Sequence, residues 1–294
     1  MAENLCEKVT THRAELGEGP AWDDLRNLIY WVDILRGEIN CYSPQTGKMD
    51  TCKINQPVGA VALTLTGNLI GAVKSGFAHI DFAGGQVDII DQPEADLPKN
   101  RFNDGKCDPA GRFWAGSMNL DEKSPTGNLY TLGKDLNVSL KIPHVTISNG
   151  MAWNSRHDTF YYIDSPKLTV QAYDYDIHSG TLANPRPAIK FDKYQGYPDG
   201  MTIDSEDMLW IAFFDGWQVS RWDPHIGKCL RQIRMPVSRP TSCTFGGADF
   251  GDLYITTASI GLQPDELSEQ PLAGQLLVIK NLGYCGIPGD RFFG

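Results

Sequence analysis

Ile29-Tyr30-Trp31-Val32-Asp33 and Phe160-Tyr161-Tyr162-Ile163-Asp164 are two copies of one strand signature, a bulky apolar pair followed by a short apolar or small run. Four more copies stand at Leu69-Ile70-Gly71-Ala72, Phe113-Trp114-Ala115-Gly116, Leu209-Trp210-Ile211-Ala212 and Leu253-Tyr254-Ile255-Thr256. Their first residues, at positions 29, 69, 113, 160, 209 and 253, are separated by 40, 44, 47, 49 and 44 residues. Periods of that size point to propeller blades, not to heptads or helical hairpins. A second element follows most copies: an apolar or aromatic strand running into a turn with Asp or Pro and Gly, as in Ile39 to Gly47, Val170 to Gly180 and Val219 to Gly227. Alternating apolar and polar positions bounded by such turns read as half-buried strands. No window keeps helical periodicity for long. The expected fold is therefore all-β, a six-bladed β-propeller forming a single domain over residues 1–294 with about four strands per blade. The segment Gln275 to Lys280 is expected to complete a blade shared with the N-terminus, so that no sheet end is left exposed.

Composition narrows the partners. With 30 Gly, 18 Pro and 41% hydrophobic residues in 294, the chain is neither collagenous nor disordered and can build a core. A formal net charge of −10 argues against a nucleic-acid partner, whose phosphates need a basic footprint. Met1 to Glu7 carries no basic region followed by an apolar stretch, and no run approaches the length of a membrane span. A soluble, cytoplasmic protein with no membrane partner is expected. The seven cysteines are an odd number without a CxxC pair, which predicts reduced structural thiols. There is no GxSxG elbow, GxxxxGK[ST] loop, GxGxxG after a strand or HExxH, and the six histidines lack ligand spacing. Oxygen chemistry remains.

Ten or eleven residues before the six signature copies lie Glu18, Gly59, Asn103, Asn149, Asp199 and Ser242. In a propeller the innermost strand of each blade lines the central channel, so residues of equal phase converge on one axis. Four of the six are carboxylates or carboxamides. Singly, Asn-Gly and Asp-Gly are ordinary turn dipeptides. Independently formed turns, however, have no reason to place oxygen groups at one level of one channel. Two carboxylates brought together there repel unless a cation lies between them. Oxygen groups suit Ca²⁺, Mg²⁺ or Mn²⁺, and Zn²⁺ in a catalytic site stays open.

Gly17-Glu18-Gly19-Pro20-Ala21-Trp22, Asn100-Arg101-Phe102-Asn103-Asp104-Gly105-Lys106, Ser148-Asn149-Gly150-Met151-Ala152-Trp153, Tyr161-Tyr162-Ile163-Asp164-Ser165 and Tyr197-Pro198-Asp199-Gly200 closely resemble motifs of one family. It is the family of regucalcin (senescence marker protein), gluconolactonases and luciferin-regenerating enzyme. The resemblance covers nearly the whole chain, including Thr241-Ser242-Cys243 and Phe245-Gly246-Gly247. It implies one divalent metal ion (Ca, Zn, Mn, Mg or Fe(II)) held by Glu18, Asn149 and Asp199, and substrate contacts from Arg101 and Asn103. A further acidic contact falls by counting on Asp121, with Glu122 beside it, and a pocket lysine is replaced by His144. The loops from Asn119 to Gly127 and around Trp217 are expected to set selectivity.

The function this implies is metal-dependent opening of sugar aldonolactones, of the gluconolactone, xylonolactone and arabinonolactone class, to aldonic acids within carbohydrate metabolism. Asp199 is the expected residue to orient or deprotonate the attacking water, and a small sugar lactone the expected partner of a monomer. A calcium-binding regulatory protein and a phosphotriester or other ester hydrolase are the alternatives.

Overall fold

A strand buried on both faces reads as a continuous apolar run, because neither face meets water. The six signature segments are such strands. The computed structural model describes residues 6–294, and Met1 to Leu5, on which the expectation about a leader rests, lie outside the described residues. Six antiparallel four-stranded sheets form the six-bladed β-propeller. The innermost strands of blades I to VI are Gly17–Asp23, Val58–Leu63, Asn100–Cys107, Ser148–Trp153, Tyr197–Ile203 and Pro240–Gly246. The signature strands come second in each blade: Leu28–Asp33, Leu69–Val73, Phe113–Asn119, Thr159–Asp164, Leu209–Phe214 and Asp252–Thr257. Blade VI is closed by Leu277–Ile279, against which the N-terminal Glu7–Lys8 pairs as the outermost strand. The ring is thus fastened by both ends of the chain, as the segment around Gln275 predicts. The one α-helix among the described residues is short, Pro264–Glu269.

The core is not one mass but six layers, each between neighbouring blades. Tyr30 and Val32 pack toward blade II, with Val61 and Leu69, while Ile29 and Trp31 on the other face meet Tyr254 and Val278 of blade VI. Tyr161 and Ile163 face blade V in the same way, and Phe160 and Tyr162 face blade III. Period-two alternation sends successive side chains of one strand into two different layers. All seven cysteines are unpaired.

Each innermost strand is interrupted by a register shift, and a bulge of this kind re-aims a side chain. The shifts fall after Glu18, at Gly59, at Asn103, at Asn149, at Asp199 and at Thr241. Four residues further on, each strand pairs with the first residue of the signature: Trp22 with Ile29, Leu63 with Leu69, Cys107 with Phe113, Trp153 with Phe160, Ile203 with Leu209 and Phe245 with Leu253. The sixth equivalent residue is therefore Thr241, which corrects the expected Ser242. Counting back from the signature crosses the hairpin between the two strands, and that hairpin is longest in blade VI.

Candidate active site

At one end of the channel a cavity of about 450 Å³ opens above these bulges. Glu18, Arg101, Asn103, Asp121, Asn149 and Asp199 all line it, so all six expected site residues share one space. Blades II and VI bring no carboxylate or carboxamide to this level, for different reasons. A Cβ on Gly59 would lie 2.5 Å from the Phe102 carbonyl carbon, so the strand there packs directly on its neighbour. Thr241 donates its hydroxyl to the Gly17 carbonyl at 2.5 Å and stands 2.9 Å from the Thr256 hydroxyl. Close approach also joins the blades of Asn149 and Asp199: a Cβ on Gly150 would come within 2.7 Å of the Asp199 carbonyl oxygen, and glycine there lets blades IV and V meet.

Glu18 and Asp199 are buried, at 3% and 6% exposure. Burial, reinforced by the Asp104 charge, pushes the Glu18 carboxyl up to about 8, against only one backbone donor, the Gly19 amide at 2.9 Å. Burial and the charges of Glu18 and Asp104 raise Asp199 well above the usual carboxylate range. The two carboxyls are within hydrogen-bonding contact of each other. Two buried carboxyls answered chiefly by one another are unstable as anions without a cation.

Asn149 supplies the carboxamide. Its Nδ2 donates to Ser165 Oγ at 2.8 Å, and Ser165 Oγ in turn donates to the Pro198 carbonyl at 2.6 Å. That chain fixes the amide orientation, and Oδ1 accepts from Asn103 Nδ2 at 3.1 Å with a second lone pair unused. The donor set of two mutually repelling buried carboxylates and one oriented carbonyl oxygen fits an oxygen-preferring divalent cation.

Arg101 stands beside this group, 5% exposed, with its pKa lowered to about 10 by burial, against the opposing pull of Glu122, Glu18 and Asp199. Its Nη1 donates to Asn103 Oδ1 at 2.6 Å and to the Phe102 carbonyl at 3.0 Å, while its buried Nε has no partner. A buried guanidinium with unused donors is poised for a ligand oxygen. Asn103 is more committed than expected of a substrate contact: Nδ2 donates to the Ser148 carbonyl at 2.7 Å and to Asn149 Oδ1 at 3.1 Å. It holds Arg101 and Asn149 in place, with one acceptor lone pair left over.

The SMP-30/Gluconolactonase/LRE-like region matches residues 16–259 of this chain. Regucalcin from Gallus gallus is 40% identical over 300 residues, covering all of both chains, and regucalcin from Danio rerio is 40% identical over 296 residues with the same coverage. The chain belongs to this family. Among solved structures, luciferin-regenerating enzyme superposes with a TM-score of 0.91 at 31% identity, covering 98% of each chain. A gluconolactonase from Xanthomonas campestris superposes at 0.75 with 20% identity, covering 93% of this chain and 88% of its own, a likeness of fold alone.

The expected acidic contact, Asp121, lines the cavity from a tight turn. Asp121 accepts from the Lys123 and Ser124 amides at 2.8 Å each and from Ser124 Oγ at 2.5 Å, which holds its carboxyl down at about 2. Its oxygens close the loop. Glu122, left-handed at φ 59°, is the carboxylate whose charge acts on Arg101. Both acids line the cavity, and the turn takes up the Asp121 oxygens. His144 is exposed and does not line the cavity. Trp217 also stands outside, beneath Arg234 at 5.5 Å, and its loop reaches the cavity through Phe214 and Asp215.

Sequence reading missed Ser165 and the cavity walls. A second grouping of potential metal ligands, His12, Asp33 and Glu38, lies in blade I. There Asp33 accepts the Glu15 and Leu16 amides at 2.7 and 3.2 Å, and Lys53 lies 3.1 Å from Glu38. Asp164 does the same in blade IV for the Thr146 and Ile147 amides at 3.2 and 3.0 Å. The aspartate ending the signature thus pins the segment that enters the strand of Glu18 or of Asn149.

Proposed function

We propose that the protein is a metal-dependent lactonase that opens sugar aldonolactones to aldonic acids. The observation that carries this reading is the unanswered pair Glu18 and Asp199, with Asn149, at the base of a cavity that also receives the free donors of Arg101. The family description names gluconolactonase. Glu18, Asn149 and Asp199 would hold the divalent ion, which when bound supplies Lewis-acid polarisation of the lactone carbonyl. Asp199 accepts a hydrogen bond from the attacking water and orients it toward the carbonyl carbon. Arg101 Nε donates to an oxygen of the substrate and fixes the ring against rotation. Asn103 keeps the guanidinium at the correct height. Ring opening consumes one water and yields a carboxylate, a hydroxyl and one proton.

A second reading comes from the regucalcin relatives, whose name in the Agrobacterium tumefaciens structure is joined to calcium binding. A calcium-binding regulatory role would use the same three ligands. Acid release from gluconolactone, xylonolactone, arabinonolactone and galactonolactone, measured with chelated protein and with each of Ca²⁺, Mg²⁺, Mn²⁺ and Zn²⁺, separates the two. Metal-dependent turnover of at least one lactone is expected. Tight calcium binding without turnover by any metal form would sink the lactonase reading.

A further inference from the structure

In a strand, residues two apart face the same side, so the residues two positions before the bulges form a second ring nearer the mouth. That ring reads Leu16, Pro57, Arg101, Ile147, Tyr197 and Arg239. Its charged member on the cavity is Arg101 of blade III, whose loop also brings Asp121, Glu122 and Lys123. From blades I, IV and V the ring offers Leu16, Ile147 and Tyr197, all of which line the same cavity. The opening is therefore divided. One side is charged, and the other is apolar.

The apolar side is built, not left over. Tyr197 pairs across the blade with Phe214, which also lines the cavity. Arg239, which holds the sixth place of the ring, turns away from the substrate space. Its Nε donates to Asp215 at 2.6 Å, its Nη1 donates to the Ile260 carbonyl, and its guanidinium lies 4.9 Å from the Phe214 ring centroid. Its charge is answered by Asp215, and the side chain braces both Phe214 and Ile260. The braced wall stays partly open to water: Leu16, Ile147, Phe214 and Ile260 are half-buried, and Tyr197 is 52% exposed. Apolar groups gathered around a polar floor are the composition of a small-molecule site, where a few polar groups orient and the rest bury apolar surface. Along this wall the hydrogen-bonding groups are few, the Tyr197 hydroxyl and an Asp215 carboxylate already held by Arg239, so a polyhydroxylated ring would lose more water there than it could replace.

We infer that the preferred substrate is amphipathic: a lactone whose ring oxygens face Glu18, Asp199 and Arg101, and whose ring carries an alkyl or aryl substituent lying against Leu16, Ile147, Tyr197, Phe214 and Ile260. This rests on the lactonase reading and narrows its substrate class away from the fully hydroxylated sugar lactones.

The test is a series of δ-lactones bearing methyl to hexyl substituents at the carbon next to the ring oxygen, compared with glucono-δ-lactone under one metal. Each buried methylene should raise kcat/KM by about fourfold until the wall is filled. The longer members should exceed gluconolactone by at least tenfold. Ile260→Ser and Tyr197→Ser should flatten the series, chiefly through KM. A flat series in the native chain, or gluconolactone as the better substrate, overturns the inference and leaves the lactonase reading standing. If no lactone is turned over, the lactonase reading fails, and calorimetry with 2-hexyltetrahydrofuran on the metal-loaded protein then decides the wall by itself. Saturable binding that is weakened by Ile260→Ser supports it, and absence of binding overturns it.

Discussion

The two mouths of the channel are built from the same six strands, yet their buried carboxylates have different company. At the far mouth, Asp23 lies with Arg26 and Arg291, at 3.5 and 2.8 Å. Asp108 accepts from Arg112 Nε at 2.6 Å, Trp114 Nε1 at 2.8 Å and the Tyr175 hydroxyl at 2.8 Å. Asp204 accepts from Trp210 Nε1 at 2.9 Å and Arg221 Nε at 2.7 Å. Each is closed by a cation, and in two of the three by an indole N–H as well. At the near mouth, Glu18 and Asp199 have mainly each other. Equal burial with unequal pairing separates carboxylates that hold the fold from the pair to which the proposed function gives a metal ion.

The chain also closes the far mouth. After Leu277–Ile279, the C-terminal segment runs beneath the strands: Gly286 bridges Asp204, Phe292 bridges Thr64, and Phe293 donates its amide to the Gly111 carbonyl at 3.0 Å. Phe292 is fully buried against blades II and III. What remains there is a chamber of about 110 Å³, reached by Lys106 and Asp290. Lys106 donates to the Met201 carbonyl at 2.8 Å, and burial raises Asp290 to about 6. Among the described residues, no such plug crosses the near mouth.

The comparison can be broken most directly at Asp199. Asp199→Ala should lower metal-dependent kcat/KM about ten-thousandfold or more, roughly 5.5 kcal/mol of barrier, with thermal stability of the metal-free protein unchanged or raised. A variant with near-native turnover would show that the near-mouth pair is structural after all. At the far mouth the outcome should invert. Asp108→Ala strands Arg112, Trp114 and Tyr175 and should destabilise by about 3–5 kcal/mol in urea unfolding, while the folded fraction keeps its kcat/KM.

Proton linkage sharpens the contrast in one titration. Without metal, Glu18 holds a proton up to about 8 in the folded state but only to about 4.5 when unfolded. Between those values the folded state binds the extra proton, so stability is greatest below the lower value and falls as pH rises toward the upper one. The Tm of chelated protein should decline across that window, and divalent metal should raise Tm more at pH 8 than at pH 5. A metal-induced Tm shift that is constant with pH would contradict the assignment of Glu18 as a ligand. The smallest effect belongs to Asp121→Ala. Because its oxygens close an exposed loop, kcat/KM should change less than about threefold, whereas Glu122→Ala should act more strongly on KM.

Much of this was legible in the sequence because it is local and periodic. The signature strands, their six-fold recurrence and the phase of Glu18, Asn149 and Asp199 follow from an apolar pattern that each segment carries by itself. Reading failed where a count crossed a loop. Ser242 was displaced by one residue by the longer hairpin before Leu253, and the count that reached Asp121 carried nothing of the turn that takes up its oxygens. Asn103 shows a further limit. Its residue type suits substrate contact, but its amide is taken by Ser148 and Asn149 of the neighbouring blade.

By itself, the sequence determined the propeller, the blade count and the ring of oxygen groups, since strand periodicity and glycine-marked turns are properties of short segments. Only the tertiary structure decided which buried carboxylates stay unanswered, which wall of the cavity is apolar and which mouth is plugged. Those depend on side chains more than forty residues apart, Asn103 against Ser148 or Arg291 against Asp23, and on water excluded between blades. Contacts of that range have no signature in any one segment, because they exist only once the ring has closed.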